Sequence, residues 1–118
     1  MKNHPFLNRV GFACSGLKTA WATENSFRAQ VAAALFVLLL LIVIQPTLIW
    51  SSLLLIISGL VLAAELFNTA LEKLIDHLHP DQHDAIKVIK DIMAGAILVL
   101  SITALVIFGL FVWNMFRP

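Results

Sequence analysis

The sequence predicts an all-α integral membrane protein, with an N-terminal amphipathic helix on the membrane surface and three helices that cross the bilayer. Three observations predict this fold. The 118 residues are 60% hydrophobic and only 13% charged, with a mean hydropathy of +0.93, a balance too apolar for a small soluble domain. No charged residue stands between Arg28 and Glu65, and none between Asp91 and Arg117, so each interval can hold membrane helix at about 20 residues per crossing. Gln45-Pro46-Thr47 divides the first interval, because proline has no amide proton and polar neighbours suit a turn at the interface. The whole chain, 1–118, is read as one membrane domain.

The first element is expected over 6–22, where Phe6, Val10, Phe12, Ala13, Leu17 and Trp21 alternate with Arg9, Ser15 and Lys18. That mixture reads as an amphipathic helix lying on the cytoplasmic surface. Glu24 follows it, four residues before Arg28. The two either form an ion pair at i,i+4, or Glu24 is a carboxylate at the membrane edge available to a metal. Span 1 is expected over 29–45, made largely of Ala, Val and Leu, with Gln30 the one polar group near its cytoplasmic end.

Span 2, expected over 48–78, begins apolar and ends in Glu65, Asn68, Glu72 and Asp76. At about 100° per residue these four fall within an arc of roughly 80° and make one polar stripe. Glu65 lies about 22 Å along the helix from Trp50, near the inner boundary of a hydrocarbon core about 30 Å thick. A carboxylate at that depth is costly unless paired, wetted or bound to a cation, and so marks function.

His77-Leu78-His79-Pro80-Asp81-Gln82-His83-Asp84 reads as a turn, ended by Pro80 and with Asp81 or Asp84 as cap of the next helix. The spacing of its histidines matches no zinc pattern. Span 3, expected over 85–115, opens with Lys87, Lys90 and Asp91, turns apolar at Ile92, and carries Ala94-Gly95-Ala96. Small residues there let helix backbones approach closely, which brings Lys90 and Asp91 level with the acidic stripe.

Seven of the eight basic residues, Lys2, Arg9, Lys18, Arg28, Lys73, Lys87 and Lys90, fall on one side of this three-span arrangement, and Arg117 on the other. The positive-inside rule makes that side cytoplasmic. The formal net charge of +1 is no signature of a polyanion binder, and no nucleic-acid partner is expected. The lone Cys14 excludes an internal disulfide.

Carboxylates from two segments, an amide and a lysine therefore converge at one membrane edge. Magnesium prefers a few carboxylates plus phosphate oxygens and water, a set that Glu24 and Glu72 offer beside a nucleotide. Lys90 is placed to neutralise phosphate charge, and a partly desolvated Glu65 suits acceptance of a proton from an alcohol arriving within the membrane. The parts suggest phosphoryl transfer from a soluble nucleotide to a lipid hydroxyl. No Gly-rich phosphate loop is present, and a mechanism of positioning and charge neutralisation does not require one. A small ion or proton carrier is the alternative from another class, but a relay needs ionisable groups across the membrane depth, and here they gather at one side.

Glu65-Leu66-Phe67-Asn68-Thr69-Ala70-Leu71-Glu72, Asp76 and Lys90-Asp91-Ile92-Met93-Ala94-Gly95-Ala96 resemble the two signature stretches of the small prokaryotic diacylglycerol kinases, a family that includes the undecaprenol kinases. Gly16-Leu17-Lys18, Trp21 and Glu24-Asn25-Ser26-Phe27-Arg28 resemble its N-terminal motif. The resemblance implies a homotrimer in the bacterial inner membrane, with three spans per subunit and with ATP and magnesium at the site. It implies that Glu65 is the catalytic base and that Glu24 and Glu72 hold the metal. Asn68, Asp76, Lys90 and Asp91 match positions around the phosphates, and Asp81, Gln82 and His83 match the nucleotide-contacting loop. Lys18, Trp21, Phe27, Arg28 and Gln30, with Glu65, match positions near the lipid substrate. Diacylglycerol is the expected substrate and undecaprenol the alternative, because Ile92-Met93-Ala94 after Lys90-Asp91 is closer to the polyprenol-kinase version.

Overall fold

The computed structural model describes residues 2–81 and 83–117, and its regular elements are all helices: α1 (Phe6–Thr23), α2 (Asn25–Ile44), α3 (Leu48–Leu78) and α4 (Asp84–Phe116). The last three are each long and apolar enough to cross a membrane.

A single extended residue, Glu24, separates α1 from α2 at φ −121° and ψ 109°. Its N–H donates to the Ala20 carbonyl at 2.9 Å and its own carbonyl accepts from the Arg28 N–H at 3.2 Å, so one residue closes the first helix and opens the second. The expected Glu24–Arg28 ion pair is not formed. The Arg28 guanidinium instead turns back over the end of α1 and donates to the Trp21 carbonyl at 2.7 Å, to the Ala22 carbonyl at 3.5 Å and to Asn25 Oδ1. Helix ends leave carbonyls without intrahelical partners, and a cation there is favoured by the dipole. Helix α2 starts at Asn25, four residues ahead of the point where span 1 is expected.

Gln45 ends α2 in the left-handed region (φ 51°, ψ 59°), with its N–H on the Leu41 carbonyl at 3.0 Å. Pro46 cannot extend the helix, and Thr47 Oγ1 caps α3 by accepting from the Trp50 N–H at 3.4 Å. At the opposite turn the cap of α4 is His83, whose Nδ1 accepts from the Ala85 N–H at 3.1 Å. That corrects the expectation of Asp81 or Asp84. Asp84 is already the first helical residue, where its charge favours the positive helix end.

Helix α3 packs on both α2 and α4, and α1 packs more lightly on α2 and α3. The buried face of α3 is the stripe Leu54, Ile57, Val61, Glu65 and Thr69, spaced by three or four residues as one helix face requires. At one end Leu41, Leu54 and Phe111 form the core, flanked by Val37, Trp50 and Phe108. Trp50 and Phe111 rings lie 5.8 Å apart at 55°. In lipid such contacts hold by van der Waals fit rather than by expulsion of water. The remaining apolar faces, including Leu48, Leu60 and Trp113, are exposed, as a bilayer permits.

The small residues of α4 do not make the expected close approach to α3. A methyl group added at Gly95 meets nothing within 4 Å, and Ala94 and Ala96 are exposed. The two helices meet instead through larger side chains such as Trp50 and Phe111.

Candidate active site

Where the apolar stripe of α3 runs out, the same face continues in carboxylates. Glu65 is 4% exposed, the only buried acid among the described residues. The Ser26 hydroxyl of α2 donates to Glu65 Oε2 at 3.1 Å. One turn on, Asn68 Oδ1 is buried without a hydrogen-bond partner among the described residues. Glu72 is half-buried and Asp76 exposed. The stripe read from the sequence thus descends from a buried acid to a solvated one.

Helix α4 meets this stripe through Lys90, whose Nζ donates to Asp76 Oδ1 at 2.7 Å. Lys90 lies in the polar opening turns of α4, ahead of the apolar run from Ile92. It is cationic at neutral pH. Asp91 is not joined to the stripe: it pairs with Lys87 at 2.7 Å on an exposed face of α4. Successive residues on a helix point about 100° apart, so Lys90 and Asp91 cannot both face α3.

Glu24 is half-buried at the α1–α2 corner. Among the described residues neither its carboxylate nor that of Glu72 has a hydrogen bond or an ion pair. No group of three or more His, Cys, Asp and Glu side chains is assembled for a metal among those residues. Two free carboxylates suit an ion that completes its shell with phosphate and water, and do not suit a site built from protein alone.

Residues 11–112 match the family model for prokaryotic diacylglycerol kinase. The chain belongs to that family. It is 26% identical over 110 residues to the diacylglycerol kinase of Escherichia coli (strain K12), covering 93% of this chain and 90% of that one. It is 34% identical over 103 residues to the undecaprenol kinase of Bacillus subtilis (strain 168), with 86% and 83% covered. With the diacylglycerol kinase of a Synechocystis species it shares 32% over 99 residues. Membership makes the chain a lipid kinase that catalyses ATP-dependent phosphoryl transfer.

In this lipid kinase a cavity of about 410 Å³ opens between α2, α3 and α4. Gln30, Val37, Ile57, Ser58, Val61 and Ser101 are among its lining. Val61 stands one turn before Glu65, and Gln30 one turn after Ser26, so the cavity adjoins the buried carboxylate on its apolar side. Of the other positions matched to the lipid side, Phe27 is 5% exposed and packed, Trp21 is half exposed, and Lys18 is exposed on α1. Asp81 is exposed, His83 serves as the α4 cap, and Gln82 lies outside the described residues. The residue that the sequence did not single out for a role is Ser26. It stands in the motif after Glu24, but its partner is 39 positions away, a contact that no local spacing reveals.

Proposed function

We propose that this kinase transfers the γ-phosphoryl group of ATP to the hydroxyl of a membrane lipid, diacylglycerol being converted to phosphatidic acid. The observation that carries the reading is Glu65: a buried carboxylate, held through one oxygen, one helical turn beyond Val61 in the lining of an apolar cavity. A lipid hydroxyl entering from the bilayer meets that carboxylate before it meets water. Glu65 takes the hydroxyl proton, the alcohol oxygen attacks the γ-phosphorus, and ADP leaves.

Asn68, Glu72, Asp76 and Lys90 then flank the phosphates, with the Lys90 ammonium offsetting their negative charge. Asp91, Asp81, Gln82 and His83 are assigned to the outer, nucleotide-facing side of the site. Lys18, Trp21, Phe27, Arg28 and Gln30 are assigned to the lipid side, where the buried Phe27 and the cavity-lining Gln30 support the assignment most directly. Glu24 and Glu72 would hold magnesium, which when bound neutralises the phosphates and aligns the γ-phosphoryl group. The free carboxylates of these two residues and the unpartnered Asn68 Oδ1 support that donor set.

The arrangement is proposed to be a homotrimer in the bacterial inner membrane, with the N-terminus and the site cytoplasmic and α1 on the membrane surface. The basic residues grouped at the site end support the orientation. The uncovered Ala94, Gly95 and Ala96 on α4, together with the exposed outer face of α3 at Leu60 and Phe67, support packing against further copies.

A second substrate reading, undecaprenol, is favoured by the higher identity to an undecaprenol kinase than to the Escherichia coli enzyme. Labelled ATP offered to the purified protein with each lipid in mixed micelles decides between them. Faster phosphorylation of diacylglycerol is expected, and phosphorylation of undecaprenol alone would reverse the assignment.

A further inference from the structure

Ser26 is the side chain that bonds the Glu65 carboxylate, and the reaction described above gives it no task. It sits in the first turn of α2, two residues past the corner at Glu24, while Glu65 belongs to α3. The bond therefore exists only when the two helices are docked. Among the described residues Glu65 has no cation within ion-pair distance and is 4% exposed. A buried carboxylate in that position depends on hydrogen-bond donors. The start of α2 supplies one, the Ser26 hydroxyl.

The geometry assigns an asymmetric state to this carboxylate. Oε2 is occupied by Ser26 Oγ at 3.1 Å, and Oε1 has no hydrogen-bond partner among the described residues. The last torsion of a glutamate is broad and roughly two-fold, so without an anchor the carboxylate samples many orientations. With Oε2 anchored, Oε1 is the oxygen left to take a proton.

We propose that Ser26 is a positioning residue for phosphoryl transfer: its hydroxyl fixes the Glu65 carboxylate so that the second oxygen faces the lipid hydroxyl. The proposal rests on the reading of Glu65 as the base. It concerns turnover rather than nucleotide binding, because Ser26 touches Glu65 and not the outer carboxylates of the stripe.

The test is a double-mutant cycle on the full, correctly assembled chain in detergent. Ser26→Ala and Ser26→Thr are made alone, and Ser26→Ala is also made on Glu65→Gln. Loss of a hydrogen bond to a charged group predicts a fall in kcat of about tenfold or somewhat more in Ser26→Ala, with the KM for ATP unchanged. Ser26→Thr keeps the hydroxyl and restores most of the rate. On Glu65→Gln, Ser26→Ala causes no further loss, because the group it positions is gone. A Ser26→Ala enzyme with wild-type kcat overturns the proposal, as does an equal fold loss in both backgrounds, which is what a purely structural role produces. Wild-type turnover in Glu65→Gln alone overturns the base assignment itself, and is thus distinguished from failure of the positioning role.

Discussion

Lys90 of α4 lies 2.7 Å from Asp76 of α3, and the contact joins the polar ends of the two longest helices. Both side chains keep substantial contact with solvent, and exposed ion pairs add little to stability. Its value is placement: it holds the ammonium of Lys90 over the same helix face as Glu72 and Asn68. Asp76→Asn is therefore expected to raise the KM for ATP several-fold while leaving the melting temperature in detergent nearly unchanged. ATP titrations and a thermal melt on one preparation check this. A large loss of stability with unchanged ATP dependence would assign the pair to folding instead.

Glu72 is half-buried on the stripe with no protein partner among the described residues. If it holds magnesium with Glu24, Glu72→Gln raises the magnesium concentration needed for half-maximal activity and cuts the rate severely, with assembly intact. Removing one carboxylate weakens both the ion and the phosphate it bridges. A magnesium titration that superimposes on that of the unaltered enzyme refutes the role.

Much of this arrangement is legible in the sequence. The uncharged runs 29–64 and 92–116 mark the membrane helices, and the period of Glu65, Asn68, Glu72 and Asp76 places them on one face, since both depend only on local order. The start of α2 was less legible, because Asn25, Ser26 and Arg28 look like a polar interface segment. At that corner Arg28 folds back onto the carbonyls of α1, which composition does not convey. The His83 cap escaped for a similar reason: imidazole is an uncommon cap beside two aspartates. Gly95 suggested a close approach that is not made within the subunit. Ser26 on Glu65 was invisible because it depends on how α2 docks against α3.

The uncovered small residues of α4 and the open stripe motivate a test of assembly. Subunits bearing Glu24→Gln, mixed with subunits bearing Glu65→Gln, should regain part of the activity if Glu24 and Glu65 of one site come from different chains. The measurement is lipid phosphorylation after co-refolding at several mixing ratios. Activity that never exceeds that of the separate variants counts against shared sites.

The central claim is that Glu65 takes the proton from the lipid hydroxyl, and turnover of Glu65→Gln tests it most directly. The amide keeps the shape and length of the side chain but cannot accept the proton. General-base catalysis contributes about 10² to 10⁴-fold, so a loss of kcat of that order is predicted, with ATP affinity retained. Thermal stability is expected to hold or rise, because a buried carboxylate becomes neutral. Lipid phosphorylation and nucleotide affinity should be read on the same assembled preparation, and near-normal turnover there would contradict the assignment.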